Sequence, residues 1–104
     1  MNIPPYVHLK IVECVDSALG KLGESARESI YYYLKKNFML EKSEIPLEPE
    51  VFEKALTSIF GQEGYKVIEK MILLEIRKDF KLKRSSFREA IKVLKETRTL
   101  KSSY

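Results

Sequence analysis

An all-α fold is what this chain predicts, on three observations. Apolar residues recur at three and four spacing through most of the 104 residues, the pattern that lines one face of a helix. No segment alternates apolar and polar residues over the length of a strand. Prolines and glycines fall between the periodic stretches, where helices start and stop. The expected architecture is a compact bundle of four core helices followed by a basic, amphipathic C-terminal helix. Residues 1–80 form the bundle and residues 81–104 a basic extension of the same domain.

Val7, Ile11, Cys14, Val15, Ala18, Leu19 and Leu22 mark the first helix. It starts directly behind Pro4 and Pro5, which suit a first turn that needs no amide donor. Gly20 or Gly23 can take the left-handed conformation that closes it. Ser25 and Glu28 then read as a capping box for a second helix reaching Phe38. Its inner stripe is Ala26, Ile30, Tyr33, Leu34 and Phe38, with Asn37 a fraying point. Between Glu41 and Pro49 lie two prolines that bias their preceding residues away from helix, so the segment predicts a loop pinned by Ile45 and Leu47.

Pro49 opens a third helix, with Phe52, Ala55, Leu56, Ile59 and Phe60 inward, Glu50 paired to Lys54 one turn on, and Gly61 at its end. The fourth helix, from Gln62 or Gly64 to Phe80, is the most hydrophobic. Tyr65, Val67, Ile68, Met71, Ile72, Leu73, Leu74, Ile76 and Phe80 cover about 260 degrees of its circumference, an arc that predicts packing on several sides. Lys66, Lys70 and Arg77 form its polar strip. Ser86 and Glu89 make a second capping box for a fifth helix, with Phe87, Ala90, Ile91 and Leu94 on one stripe.

Charge divides the chain unevenly. Residues 77–104 hold ten Lys/Arg against three acids, whereas residues 1–76 hold nine against twelve. Such asymmetry is the footprint of a surface attracted to polyanions or to an acidic protein partner. On the fifth helix Arg88, Lys92 and Lys95 fall within about 60 degrees of one another, with Arg84 close behind them. These four are the candidate phosphate contacts. No aromatic residue is interleaved and no helix-turn-helix or zinc module accompanies the stripe, so any nucleic-acid contact should be sequence-nonspecific. The competing reading is a solvated face beside a stripe that docks on protein. Tyr31, Tyr32 and Tyr33 splay around the second helix, with Tyr33 on the core stripe, Tyr31 at its edge and Tyr32 outward. Tyr32 with Phe87, Ile91 and Leu94 forms the candidate protein contact; the plain alternative lays Tyr32 over Glu28 and Lys36.

Several chemistries lack their residues. One cysteine, Cys14, and one histidine, His8, leave no internal disulfide and no His/Cys metal set. No acidic calcium loop and no phosphate-cradling glycine loop is present. No nucleophile and base can be paired, so neither catalysis nor a cofactor is expected. Glu75 falls inside the apolar arc of the fourth helix, a candidate buried ion pair whose partner would be Arg27 or His8. The longest aliphatic run, Met71 to Leu74, is far short of the ~20 residues that span a bilayer. The opening Met-Asn-Ile-Pro-Pro lacks a secretory signal pattern, so a cytoplasmic protein is expected. Abundant Lys and Glu with one Gln and two Asn is the bias reported for hyperthermophile proteins.

Residues 22–34, Leu-Gly-Glu-Ser-Ala-Arg-Glu-Ser-Ile-Tyr-Tyr-Tyr-Leu, are followed by Ile45-Pro-Leu-Glu-Pro-Glu-Val-Phe and by Ile59-Phe-Gly-Gln-Glu-Gly. In this order the three strings resemble a small archaeal helical domain family of unknown function, related to the Nitrosopumilus-type output domains. The resemblance covers about residues 14–80 and leaves out the basic fifth helix. It implies a compact interaction or output module and brings no catalytic motif. The expected function is a non-catalytic protein-interaction or regulatory module docking on a protein partner or a second copy, with nonspecific nucleic-acid binding as the alternative.

Overall fold

The computed structural model describes residues 3–82 and 86–102, with side chains through Lys95. Among the described residues every regular element is helical. Helix α1 spans Pro5–Gly20 and buries Val7, Ile11, Cys14, Val15, Ala18 and Leu19. Pro5 stands at the first helical position, and the first internal amide, that of His8, bonds to the Pro4 carbonyl at 2.9 Å. Leu22, expected on the same stripe, lies beyond the helix end and is exposed.

Helix α2, Glu24–Phe38, comes after a three-residue turn. Its N-cap is Gly23 at φ 113, with no side-chain cap, so the expected Ser25 and Glu28 box does not form: Ser25 already lies inside the first turn. The positive φ expected to close α1 instead opens α2. Helix α2 ends with Met39 in the left-handed conformation, the Leu40 amide on the Leu34 carbonyl and the Met39 amide on the Lys35 carbonyl. The left-handed Met39 with its amide on the Lys35 carbonyl is an αL closure made without glycine. Leu40 is buried just beyond it.

The proline-containing connection is more ordered than the loop expected. Lys42–Leu47 forms a 3₁₀ turn opened by reciprocal Glu41 and Glu44 capping. It buries Ile45 and Pro46 and leaves Leu47 half exposed, so the pin is Ile45 with Pro46.

Helix α3, Pro49–Phe80, carries the expected third and fourth helices as two arms, 49–60 and 62–80. Gly61, at φ 77 and ψ 171, breaks the helical path between them. The arms fold toward each other. Phe87 packs against Phe52 of the first arm with the rings tilted and 5.5 Å between centroids, while its amide donates to Glu69 of the second arm at 2.8 Å. On an unbroken helix those two residues would stand about 25 Å apart. Helix α1 runs antiparallel to the second arm: Cys14 reaches Asp79 and Lys21 reaches Glu75.

Helix α4, Phe87–Ser102, is part of the core rather than an appended helix. Phe87, Ala90, Ile91 and Leu94 are all at most 3% exposed. The Ser86 hydroxyl accepts from the Glu89 amide at 3.1 Å, so this start signal operates as a cap. The wide apolar arc expected on the second arm of α3 is only partly covered. Tyr65, Ile68, Ile72 and Ile76 are buried, whereas Val67 and Leu74 face outward.

Candidate functional site

Between α2 and the end of the first arm of α3 lies an open groove of about 500 Å³, lined by Ala26, Ser29, Ile30, Tyr33, Ser58, Ile59 and Phe60. Ala26, Ile30 and Tyr33 share a face because three- and four-residue steps return to one side of a helix. The floor is tied across by one polar contact. Ser58 Oγ donates to the Ala55 carbonyl at 2.8 Å, so the Tyr33 hydroxyl donates to Ser58 Oγ, also at 2.8 Å. Tyr33 packs against Phe38 with centroids 5.8 Å apart.

Ile59 and Phe60, expected inward, are 39% and 40% exposed. The break at Gly61 explains this: the arm ends beside them, and no later turn of the same helix covers them. Gly64 is what lets the second arm start so close, because a Cβ there would stand 2.7 Å from Phe60 Cβ. The groove was not legible from periodicity, which put all five of its apolar residues on inner stripes. Gly61 was the available signal.

The other expected site residues are dispersed. Tyr32 is 64% exposed with Lys36 Nζ 5.6 Å from its ring center, and it does not line the groove. Phe87, Ile91 and Leu94 cannot present a partner surface, since they fill the intramolecular core against α3. Their stripe found its apolar counterpart in the same chain. Among the phosphate candidates, Arg88 is engaged by Glu50 at 3.2 Å and Glu53 at 3.3 Å. The pair expected between Glu50 and Lys54 is replaced by this one. Lys92 is exposed and Lys95 partly buried; Arg84 lies outside the described residues.

Glu75 has a side chain 12% exposed and takes Lys21 at 2.7 Å and Lys78 at 3.5 Å, not Arg27 or His8. The Lys21 hydrogen bond lowers its carboxyl below the usual range. Arg27 instead joins Asp16, which also accepts from Tyr31 and Lys42. Burial pulls the Asp16 carboxyl up, and the Lys42, Tyr31 and Arg27 donors outweigh it, so it too lies low. His8 Nε2 donates to the Ser43 carbonyl at 2.6 Å, tying α1 to the 3₁₀ turn.

Cys14 is buried, and burial together with the Asp79 carboxylate pushes its thiol up to about 12. It is therefore protonated at neutral pH and no nucleophile. Among the described residues no group of three His, Cys, Asp or Glu side chains is placed to hold a metal ion, and no helix is long and apolar enough to cross a membrane.

The described residues define an all-α domain with a buried apolar core, an open apolar groove and outward-facing cations. Comparison with models of known families, with curated proteins and with solved structures finds no match.

Proposed function

We propose that the protein is a non-catalytic interaction module that docks through the groove between α2 and the first arm of α3, with a second copy of the chain as its occupant. The observation that carries this reading is the exposure of two large apolar side chains, Ile59 and Phe60, in a concavity floored by Ile30 and Tyr33. Two large apolar side chains gathered at one concavity give a partner's apolar side chain a place to bury.

A second copy is the favored occupant because the chain also offers a convex counterpart. Val67 and Leu74, 61% and 48% exposed, lie within about 20 degrees of each other on the second arm. Such a ridge fits a groove between helices, and exchange of ridge for groove about a twofold axis gives a closed, isologous pair. The resemblance to output-type helical domains implies the same class of module. The non-catalytic reading is supported by the protonated Cys14 and by carboxyls at Asp16 and Glu75 that are held ionized by cations.

Size-exclusion chromatography with light scattering, run from low to high micromolar concentration, tests the pairing. The expected result is twice the mass of the chain at high concentration. Phe60→Ser and Val67→Ser, made separately, should each return the single-chain mass with helical circular dichroism unchanged. A single-chain mass at the highest concentration, or a double mass retained by both variants, would overturn the reading.

A further inference from the structure

We infer that the outward face of the second arm of α3, carrying Lys66, Lys70, Arg77 and the adjoining Lys81, is a surface that tracks the phosphate backbone of duplex nucleic acid. This surface is separate from the groove and lies beside the Val67 and Leu74 ridge on the same arm.

The first three cations fall within about 40 degrees of one another around the helix and span about 17 Å along it. All four are exposed, and among the described residues none has an ion-pair partner. The reason lies in where the acids of the arm point. Glu69 turns to α4, accepting from the Phe87 amide and the Tyr65 hydroxyl. Glu75 takes Lys21 and Lys78, and Asp79 accepts from Cys14. Glu63, one turn before Lys66, is the acid left near this face, at its far end. An arm balanced in composition therefore presents a predominantly positive face, with Glu63 at one end of it.

Helix α4 is where the late charge of the sequence places this role, but its Arg88 is neutralized by Glu50 and Glu53. The α3 face keeps its charges available. Duplex DNA carries a charge about every 1.7 Å of its axis, so a face of this length stands beside several phosphates. No aromatic side chain stands among the four cations, and the surface is a straight ridge with no base-reading element. Contacts should therefore be to phosphate, without sequence preference.

Fluorescence anisotropy of a labeled DNA duplex and of an RNA duplex of equal length, titrated with the full chain at several salt concentrations, tests the assignment. Four phosphate contacts predict a slope of log affinity against log salt of about −3.5. The double variant Lys70→Ala with Arg77→Ala should reduce the slope to about −2 and weaken binding at low salt at least tenfold, with an unchanged melting curve. Lys92→Ala on α4 should weaken binding less than the double variant. Absence of binding at low salt, equal loss with Lys92→Ala, or unaltered binding by the double variant would overturn the inference. So would binding to phosphatidylserine-containing vesicles without binding to either duplex, which would make the face a lipid-headgroup surface.

Discussion

Asp16 is a side chain through which three elements are joined. From the middle of α1 it accepts from Arg27 at 3.1 Å and Tyr31 at 2.9 Å on α2, and pairs with Lys42 of the 3₁₀ turn at 3.0 Å. Its side chain is 29% exposed, so these bonds are partly shielded from water and strengthened relative to surface pairs. Asp16→Asn should cost about 1–2 kcal/mol at pH 7, read from urea denaturation. The folded-state pKa of Asp16 is lowered. Its contribution is therefore complete above the unfolded carboxylate pKa and is lost as pH falls below about 4. The gap between parent and variant should narrow as pH falls below about 4; a gap that stays constant with falling pH would show that charge is not what Asp16 contributes. None of this was readable along the chain, because the partners lie 11, 15 and 26 positions away. The assignment of Arg27 to Glu75 failed for the same reason: the short turn between α1 and α2 sets Arg27 beside Asp16, while Glu75 faces the end of α1 and meets Lys21.

Helix α3 illustrates how much of an element is local and how much is not. The sequence predicts a helix stop at Gly61, and this residue does interrupt the helical dihedrals. Beyond it a second arm folds back toward the first, held by the opening turn of α4, whose Phe87 amide bonds Glu69 and whose Arg88 pairs with Glu50 and Glu53. The φ 77, ψ 171 conformation is open to glycine and costs other residues about 1–3 kcal/mol. A Cβ at Gly61 would meet nothing within 4 Å, so Gly61→Ala measures that backbone cost without a clash. Its chemical denaturation midpoint should fall accordingly. Gly20→Ala, in helical backbone with its nearest neighbor a 3.4 Å contact from Arg27, should leave the midpoint at or above that of the parent, since alanine is favored over glycine in a helix by up to about 1 kcal/mol. Equal effects of the two would rule out the backbone explanation. The outward turn of Val67 and Leu74 was not legible, because periodicity counts apolar residues and cannot count the neighbors available to cover them.

For the molecule as a whole, the decisive fact is that α4 completes the core. Phe87 is fully buried, packed with its ring tilted against Phe52, and Ala90, Ile91 and Leu94 are buried in the same core. Truncating such a ring typically costs about 3–5 kcal/mol, against a total of about 5–15 kcal/mol for a domain. Phe87→Ala should therefore lower the thermal midpoint markedly, and a chain ending at Leu82 should lose its cooperative melt. Retention of the parent midpoint by the shortened chain would mean that α4 is an appendage after all.

The positions of the helices, their apolar stripes, the cap at Ser86 and the break at Gly61 all stem from the residues themselves. They rest on interactions within one turn or on the conformational freedom of a single backbone unit. Which stripe meets which, and so which residues remain exposed, depends on contacts between residues far apart in the chain. That is why the apolar face of α4 went inward, why Ile59 and Phe60 stayed partly in solvent, and why Arg88 of α4 is paired with acids of α3 while, among the described residues, Lys66, Lys70 and Arg77 are not.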